Sequence, residues 1–227
     1  MNRTAPVKYA QLIAPDQYDQ WYRTPRGDWI GKTEYALLDN LTELRQGESL
    51  LDVGCGTGYF TQAFAAGKTA WIAGAERDEA MLRHAIRHRG DRQSWLIADA
   101  QRLPFPDRSF DVVISVAALC FVQDERRALV EMLRVARRRV ALGLLNRHSL
   151  LYLEHGRHGG HGGYRGARWH SVAEARALFD GLPATSVTAR SAVFIPSDHR
   201  LARWVEHASA HRRPDCGSFI AVAADKA

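Results

Sequence analysis

Nine residues constrain this chain more than any other stretch: Leu50-Leu51-Asp52-Val53-Gly54-Cys55-Gly56-Thr57-Gly58. An apolar run broken by one carboxylate reads as a buried strand, Ser49–Val53. The three alternating glycines then turn the backbone sharply and leave it bare where a ligand can approach. Tyr59–Ala66 follows as a helix. In an open α/β sheet, a first strand–helix turn of this kind lies at the crevice where ligands bind. A dinucleotide fingerprint, G-x-G-x-x-G, would need glycine at position 59, which Tyr59 holds. The spacing therefore weighs against a nucleotide-dependent oxidoreductase.

From Ser49 onward strands and helices alternate. Strands are expected at Ala70–Ala75, Trp95–Ala98, Asp111–Val116 and Val140–Leu145, with helices at Asp78–Arg89 and Asp124–Ala136. Strands separated by helices of this length make parallel βαβ units and a doubly wound sheet. Two late strands, Ser186–Phe194 and Ser218–Ala223, bracket a helix near Arg200–Ser209 with Leu201, Trp204, Val205 and Ala208 as its apolar face. Ser171-Val-Ala-Glu174 matches a capping box at the start of a helix running to about Phe179. The run Gly156–Gly166 is too glycine-rich for regular structure and reads as a mobile loop. Ahead of the alternation, Pro6, Pro15 and Pro25 break the first 30 residues into short helical pieces rich in tyrosine and tryptophan. An amphipathic helix, Lys32–Leu44, follows and is ended by Gly47. Residues 1–48 thus form a lid or cap, and residues 49–227 one α/β domain with a Gly/His-rich loop at about 147–170.

Composition narrows the function. No apolar run is long enough to span a bilayer, and the N-terminus lacks the layout of a secretory signal. Three widely spaced cysteines, Cys55, Cys120 and Cys216, argue against a disulfide framework or zinc site and for a reducing cytoplasm. A net charge of +6 could attract nucleic acid, but the arginines are spread along the whole chain. His158 and His161 have workable metal spacing, yet the surrounding glycines preorganise nothing, and no metal is expected. Arg137-Arg138-Arg139 reads as a solvated helix end.

Beyond the glycine turn, Gly74-Ala75-Glu76 ends the second strand, Met81-Leu82 follows, and Ala98-Asp99-Ala100 follows the third. Leu103-Pro104-Phe105 and Ser109-Phe110-Asp111-Val112-Val113 come next. In order and spacing these residues resemble the class I S-adenosylmethionine-dependent methyltransferases of the small type 11 group, over residues 49 to about 146. The segment Tyr18-Asp-Gln-Trp21-Tyr22…Gly27 is similar to the opening of some members. The resemblance implies a Rossmann-like, doubly wound, mostly parallel seven-stranded α/β sheet with helices on both faces.

It also implies how S-adenosylmethionine is held. Asp52 with Gly54, Cys55, Gly56 and Gly58 would receive the amino-acid portion, and Glu76 beside Arg77 would accept both ribose hydroxyls. Asp99 and the Ala100 amide would meet adenine, with Met81 and Phe121 as apolar walls. Aromatic rings attract a sulfonium, which gives Tyr18, Tyr22 or Tyr59 a purpose. Asn146, Arg147, Arg165 and, chiefly, Tyr18, Tyr22, His148, Tyr164 and His170 are candidates to face the transferred methyl. The expected reaction is methyl transfer to a small-molecule acceptor by in-line displacement, leaving S-adenosylhomocysteine, in a cytoplasmic monomer or homodimer. An RNA-modifying methyltransferase and a noncatalytic S-adenosylmethionine-binding partner protein remain as alternatives.

Overall fold

The computed structural model describes residues 14–67, 69, 71–88, 90–212 and 214–227. The first thirteen residues of the N-terminal segment, and the Ala70 and Arg89 ends of two expected elements, lie outside the described residues. Two helices lead in, α1 (Pro15–Arg23) and α2 (Pro25–Thr42). Each begins on a proline, whose fixed φ suits the first turn and whose missing N–H is not needed there. Thr24 caps α2 by accepting from the Gly27 amide. Because Pro25 initiates this helix, it starts before Lys32, and it ends at Thr42 where Glu43 turns left-handed, ahead of Gly47.

Then come β1 (Ser49–Val53), α3 (Tyr59–Ala65), β2 (Trp71–Glu76), α4 (Glu79–Arg87), β3 (Gln93–Ile97), β4 (Phe110–Val116), α5 (Glu125–Val135) and β5 (Ala136–Leu145). The chain closes with α6 (Val172–Ala177), β6 (Ala184–Ala192), α7 (Arg200–Arg212) and β7 (Phe219–Lys226). One seven-stranded sheet has the order β3-β2-β1-β4-β5-β7-β6. The first five strands are parallel, and β7 runs antiparallel between β5 and β6. Strand alternation sends Leu51, Val113 and Leu142 to a core with α5 and α6, and Leu50, Ile114 and Ile72 to one with α2 and α3. The order reverses between β1 and β4, which opens a crevice at the carboxyl ends of these strands.

Several boundaries differ from expectation for physical reasons. Arg137–Arg139 belongs to β5 and is not a solvated helix end. Arg138 pairs with Glu48 at 2.7 Å, and buried Arg139 reaches Asp225, Glu43 and the Leu41 carbonyl. Paired carboxylates let these cations enter the sheet. The α6 capping box forms as read, although the helix stops at Ala177. The glycine-rich stretch contains short helical turns at Tyr152–Gly156, Arg157–Gly159 and Gly162–Tyr164. On α7 the expected apolar face is turned outward: Leu201 and Trp204 are about two-thirds exposed while Ala202 is buried. Glu206 orients this helix, its carboxylate accepting the Val193 and Phe194 amides at 3.0 Å each. Among the described residues, no helix is long and apolar enough to cross a membrane.

Candidate active site

The glycine turn hangs on the neighbouring strand. The Gly54 and Cys55 amides both donate to the Ala75 carbonyl, at 2.7 and 3.2 Å. Gly54, Gly56 and Gly58 have φ of 75°, 55° and 85°, conformations that side chains resist. A Cβ on Gly54 would stand 2.3 Å from the Ala118 Cβ, and one on Gly58 2.6 Å from the Trp95 ring. A Cβ on Gly56 would meet no protein atom within 4 Å, so this bend presents bare backbone to open space.

Carboxylates gather around it. Asp52 is buried; its Oδ2 accepts from the Thr61 hydroxyl at 2.6 Å, and its Oδ1 has no partner. Burial pushes Asp52 up to about 7, Thr61 pulls the other way, and the charge of Glu76 raises it further. Leaving a buried acceptor unpaired is costly, and a cation or N–H donor would relieve it. Glu76 ends β2. One of its oxygens accepts the Gly56 amide at 2.9 Å, the other the Arg77 and Asp78 amides at 2.7 and 2.8 Å. Arg77 therefore contributes its backbone here, with its side chain exposed. Asp99 lies two residues past β3, exposed, and accepts the Gln101 amide at 2.9 Å. The Ala98 amide donates to the Glu76 carbonyl at 3.0 Å, which keeps this corner beside β2. The structure thus brings Asp52, Glu76 and Asp99 to the carboxyl ends of three adjacent parallel strands. Met81, Ala100 and Phe121 are half-buried. Burial holds the Cys55 thiol well above its usual range, so it stays protonated.

The other wall is aromatic. Tyr22 stacks on Tyr59, centroids 3.8 Å apart, and its hydroxyl lies 3.4 Å from that of Tyr18. Gly31 of α2 makes room, since the Tyr59 hydroxyl is 2.4 Å from where a Cβ would stand. Glu34, three residues on, is half-buried and makes no hydrogen bond or ion pair among the described residues. Burial pushes its carboxyl up to about 8. Its charge bears on Tyr18, Tyr22, Tyr59 and Tyr164, whose phenols are all raised, chiefly by burial.

The remaining candidates are engaged elsewhere or outward. His148 is exposed. The His170 Nε2 lies 3.2 Å from Glu125, which also pairs with Arg168 at 2.8 Å. The Asn146 amide is spent on the Asp215 and Gly217 carbonyls, and Arg147 on the Trp169 carbonyl. Of the residues proposed between 146 and 170, Tyr164 is the one whose electrostatics couple to Tyr18 and Glu34. Sequence reading missed Thr61, Trp95 and Glu34. A signal for Glu34 was present: it stands in the stripe Ile30, Leu38, Leu41, where a charge points inward against the helical pattern.

A doubly wound sheet of this order, with a bare glycine bend and three strand-end carboxylates at its crevice, is a Rossmann-like fold. Residues 51–142, about two-fifths of the chain, match the family described as "Methyltransferase domain". A 99-residue segment is 39% identical to the ubiquinone/menaquinone biosynthesis C-methyltransferase UbiE of Burkholderia mallei, covering 41% of each chain. The match therefore spans about two-fifths of that relative's length. Among solved structures, a SAM-dependent methyltransferase of Thermotoga maritima, described as a possible histamine N-methyltransferase, superposes with TM-score 0.73 at 23% identity. That match covers 93% of this chain and 95% of the other. Magnesium protoporphyrin IX methyltransferase of Synechocystis, solved with bound S-adenosylhomocysteine, gives 0.64 at 16% identity over 93% and 94%. A chain of the complex between the Haloferax volcanii Trm112 methyltransferase activator and a methyltransferase gives 0.67 at 21% over 94% and 97%. At these identities the structures establish the fold.

Proposed function

We propose that this protein transfers a methyl group from S-adenosylmethionine to a small-molecule acceptor. The observation that carries the reading is the partnerless, buried Asp52 oxygen beside a glycine bend that faces open space, with Glu76 alongside. These residues fit the cofactor's chemistry. Asp52 would take the ammonium group, and the amides of the bend its carboxylate. Glu76, whose oxygens now accept backbone amides, has the lone pairs to take two ribose hydroxyls as well. Asp99 and the Ala100 amide stand where the adenine edge would lie, and Met81 and Phe121 would flank its faces.

When bound, S-adenosylmethionine supplies a methyl already activated on a sulfonium. The chain's task is then to orient the acceptor and exclude water. Tyr18, Tyr22, Glu34 and Tyr164 would form the acceptor side, with α1, α2 and the 147–170 segment as its cover. The spread of arginines favours a small acceptor over RNA, and UbiE, by its name, methylates carbon in quinone biosynthesis.

Saturating cofactor, at 100 times its Kd, stabilises by about 2.7 kcal/mol, a rise in Tm of about 5–10 °C for a chain of this size. A flat thermal response to S-adenosylmethionine and S-adenosylhomocysteine would overturn the cofactor assignment. Binding without turnover across amines, phenols and quinols would instead support a noncatalytic partner.

A further inference from the structure

Glu34 is a carboxyl without a counterion. It sits on the inward stripe of α2, receives no hydrogen bond among the described residues, and is surrounded by protein while keeping some contact with solvent. A carboxyl in that condition is poorly explained as scaffold. The nearby tyrosine hydroxyls of α1 are 3.4 Å from each other, and neither donates to it. Tyr59, stacked under Tyr22, opens α3 straight after Gly58, so the group adjoins the glycine bend. Cys120, whose buried thiol is electrostatically coupled to Tyr18 and Tyr164, lies two residues past Ala118, which packs against Gly54.

We propose that Glu34 binds the methyl acceptor and that this acceptor is a cationic amine, held by the Glu34 carboxylate among the rings of Tyr18, Tyr22, Tyr59 and Tyr164. The inference rests on the methyltransferase reading and adds the substrate class. A partnerless carboxyl lacks a positive charge, and aromatic rings attract cations, most strongly where water is excluded. A neutral phenol or alcohol would hydrogen-bond the protonated carboxyl but gain nothing from its ionised form. Burial holds Glu34 protonated at neutral pH, so an arriving ammonium displaces that proton to solvent and leaves an ion pair. For transfer the ammonium returns one proton to the Glu34 carboxylate, and the freed nitrogen lone pair attacks the sulfonium methyl as its bond to sulfur breaks.

The test uses the full chain saturated with S-adenosylhomocysteine, titrated by calorimetry with 2-phenylethylamine and histamine, and with 2-phenylethanol and catechol as neutral probes. Amines are expected to bind at least tenfold tighter than the neutral probes. The phenylethylamine affinity should rise nearly tenfold per unit between pH 6 and 7.5, because one proton must leave. Glu34→Gln should lose tenfold or more of amine affinity and flatten that pH slope, while Glu34→Asp keeps a slope; both should still bind S-adenosylhomocysteine. Neutral probes binding as well as amines, no amine binding at all, or an unchanged slope in Glu34→Gln would each overturn the proposal. A pH slope for S-adenosylhomocysteine alone, lost in Glu34→Gln, would assign Glu34 to the cofactor and overturn it too. Failure of the wild-type chain to bind S-adenosylhomocysteine strikes the methyltransferase reading instead.

Discussion

Replacing Asp52 by asparagine isolates the electrostatic cost built into the glycine turn. The native carboxyl titrates at about 7 against an ordinary 3.8, chiefly because it is buried. Over the interval between those values the native chain holds a proton that the unfolded chain has released. Stability from this group is therefore greatest at low pH, falls as pH rises through that interval, and levels off above 7. At about 1.4 kcal/mol per unit, the loss between pH 5 and pH 8 is about 3 kcal/mol. Asparagine keeps the shape and an oxygen for the Thr61 hydroxyl but cannot ionise. Urea denaturation of both chains at pH 5, 6, 7 and 8 should show the variant gaining about 3 kcal/mol on the wild type across the range. Subtracting one chain from the other cancels Glu34 and Glu206, which burial also raises. A difference that does not change with pH would refute the reasoning.

Two further substitutions probe the same turn. Glu76→Ala removes the acceptor of the Gly56, Arg77 and Asp78 amides and the proposed ribose contact. Affinity for S-adenosylhomocysteine should fall by about 1–3 kcal/mol, roughly 5- to 150-fold by calorimetry, and unaltered affinity would show the ribose contact is misplaced. Gly58→Ala must hold φ near 85° and drive a Cβ to within 2.6 Å of the Trp95 ring. It should lose about 2 kcal/mol in denaturant unfolding, and a neutral result would mean the turn is not held as described.

Much of the sheet could be read directly because its strands bury both faces and its crossovers are short: Leu50-Leu51 and Val112-Val113 leave little choice of period. The strand-end carboxylates were legible for a related reason, since Asp52, Glu76 and Asp99 each interrupt or end an apolar run. What escaped depended on pairing across the fold. Arg139 enters β5 only because Glu43 and Asp225 meet it from segments 96 and 86 residues away. The inward side of α7 is set by Glu206 accepting two backbone amides beyond β6, so hydrophobic periodicity chose the wrong face. Pro25 looked like a helix breaker and serves as a helix start, a distinction made by Thr24 capping the turn. Among the candidate site residues, the histidines were proposed from composition, but His170 is taken by Glu125.

The two raised carboxyls of the site have a common cause and a common remedy. Asp52 and Glu34 are both moved mainly by burial, and among the described residues neither pairs with an arginine or lysine. The chain has 31 basic residues, so cations are not scarce; among the described residues several pair with Glu48, Glu125, Glu131 and Asp225 instead. In the reading proposed above, positive charge at the centre would come from what binds there. S-adenosylmethionine carries an ammonium and a sulfonium, and transfer of the methyl removes the sulfonium charge. The ammonium proposed to meet Asp52 is kept in both sulfur states, so that carboxyl would serve donor and product alike. Unpaired acids beside bare backbone are costly to the folded chain, and binding of a cation would relieve that cost.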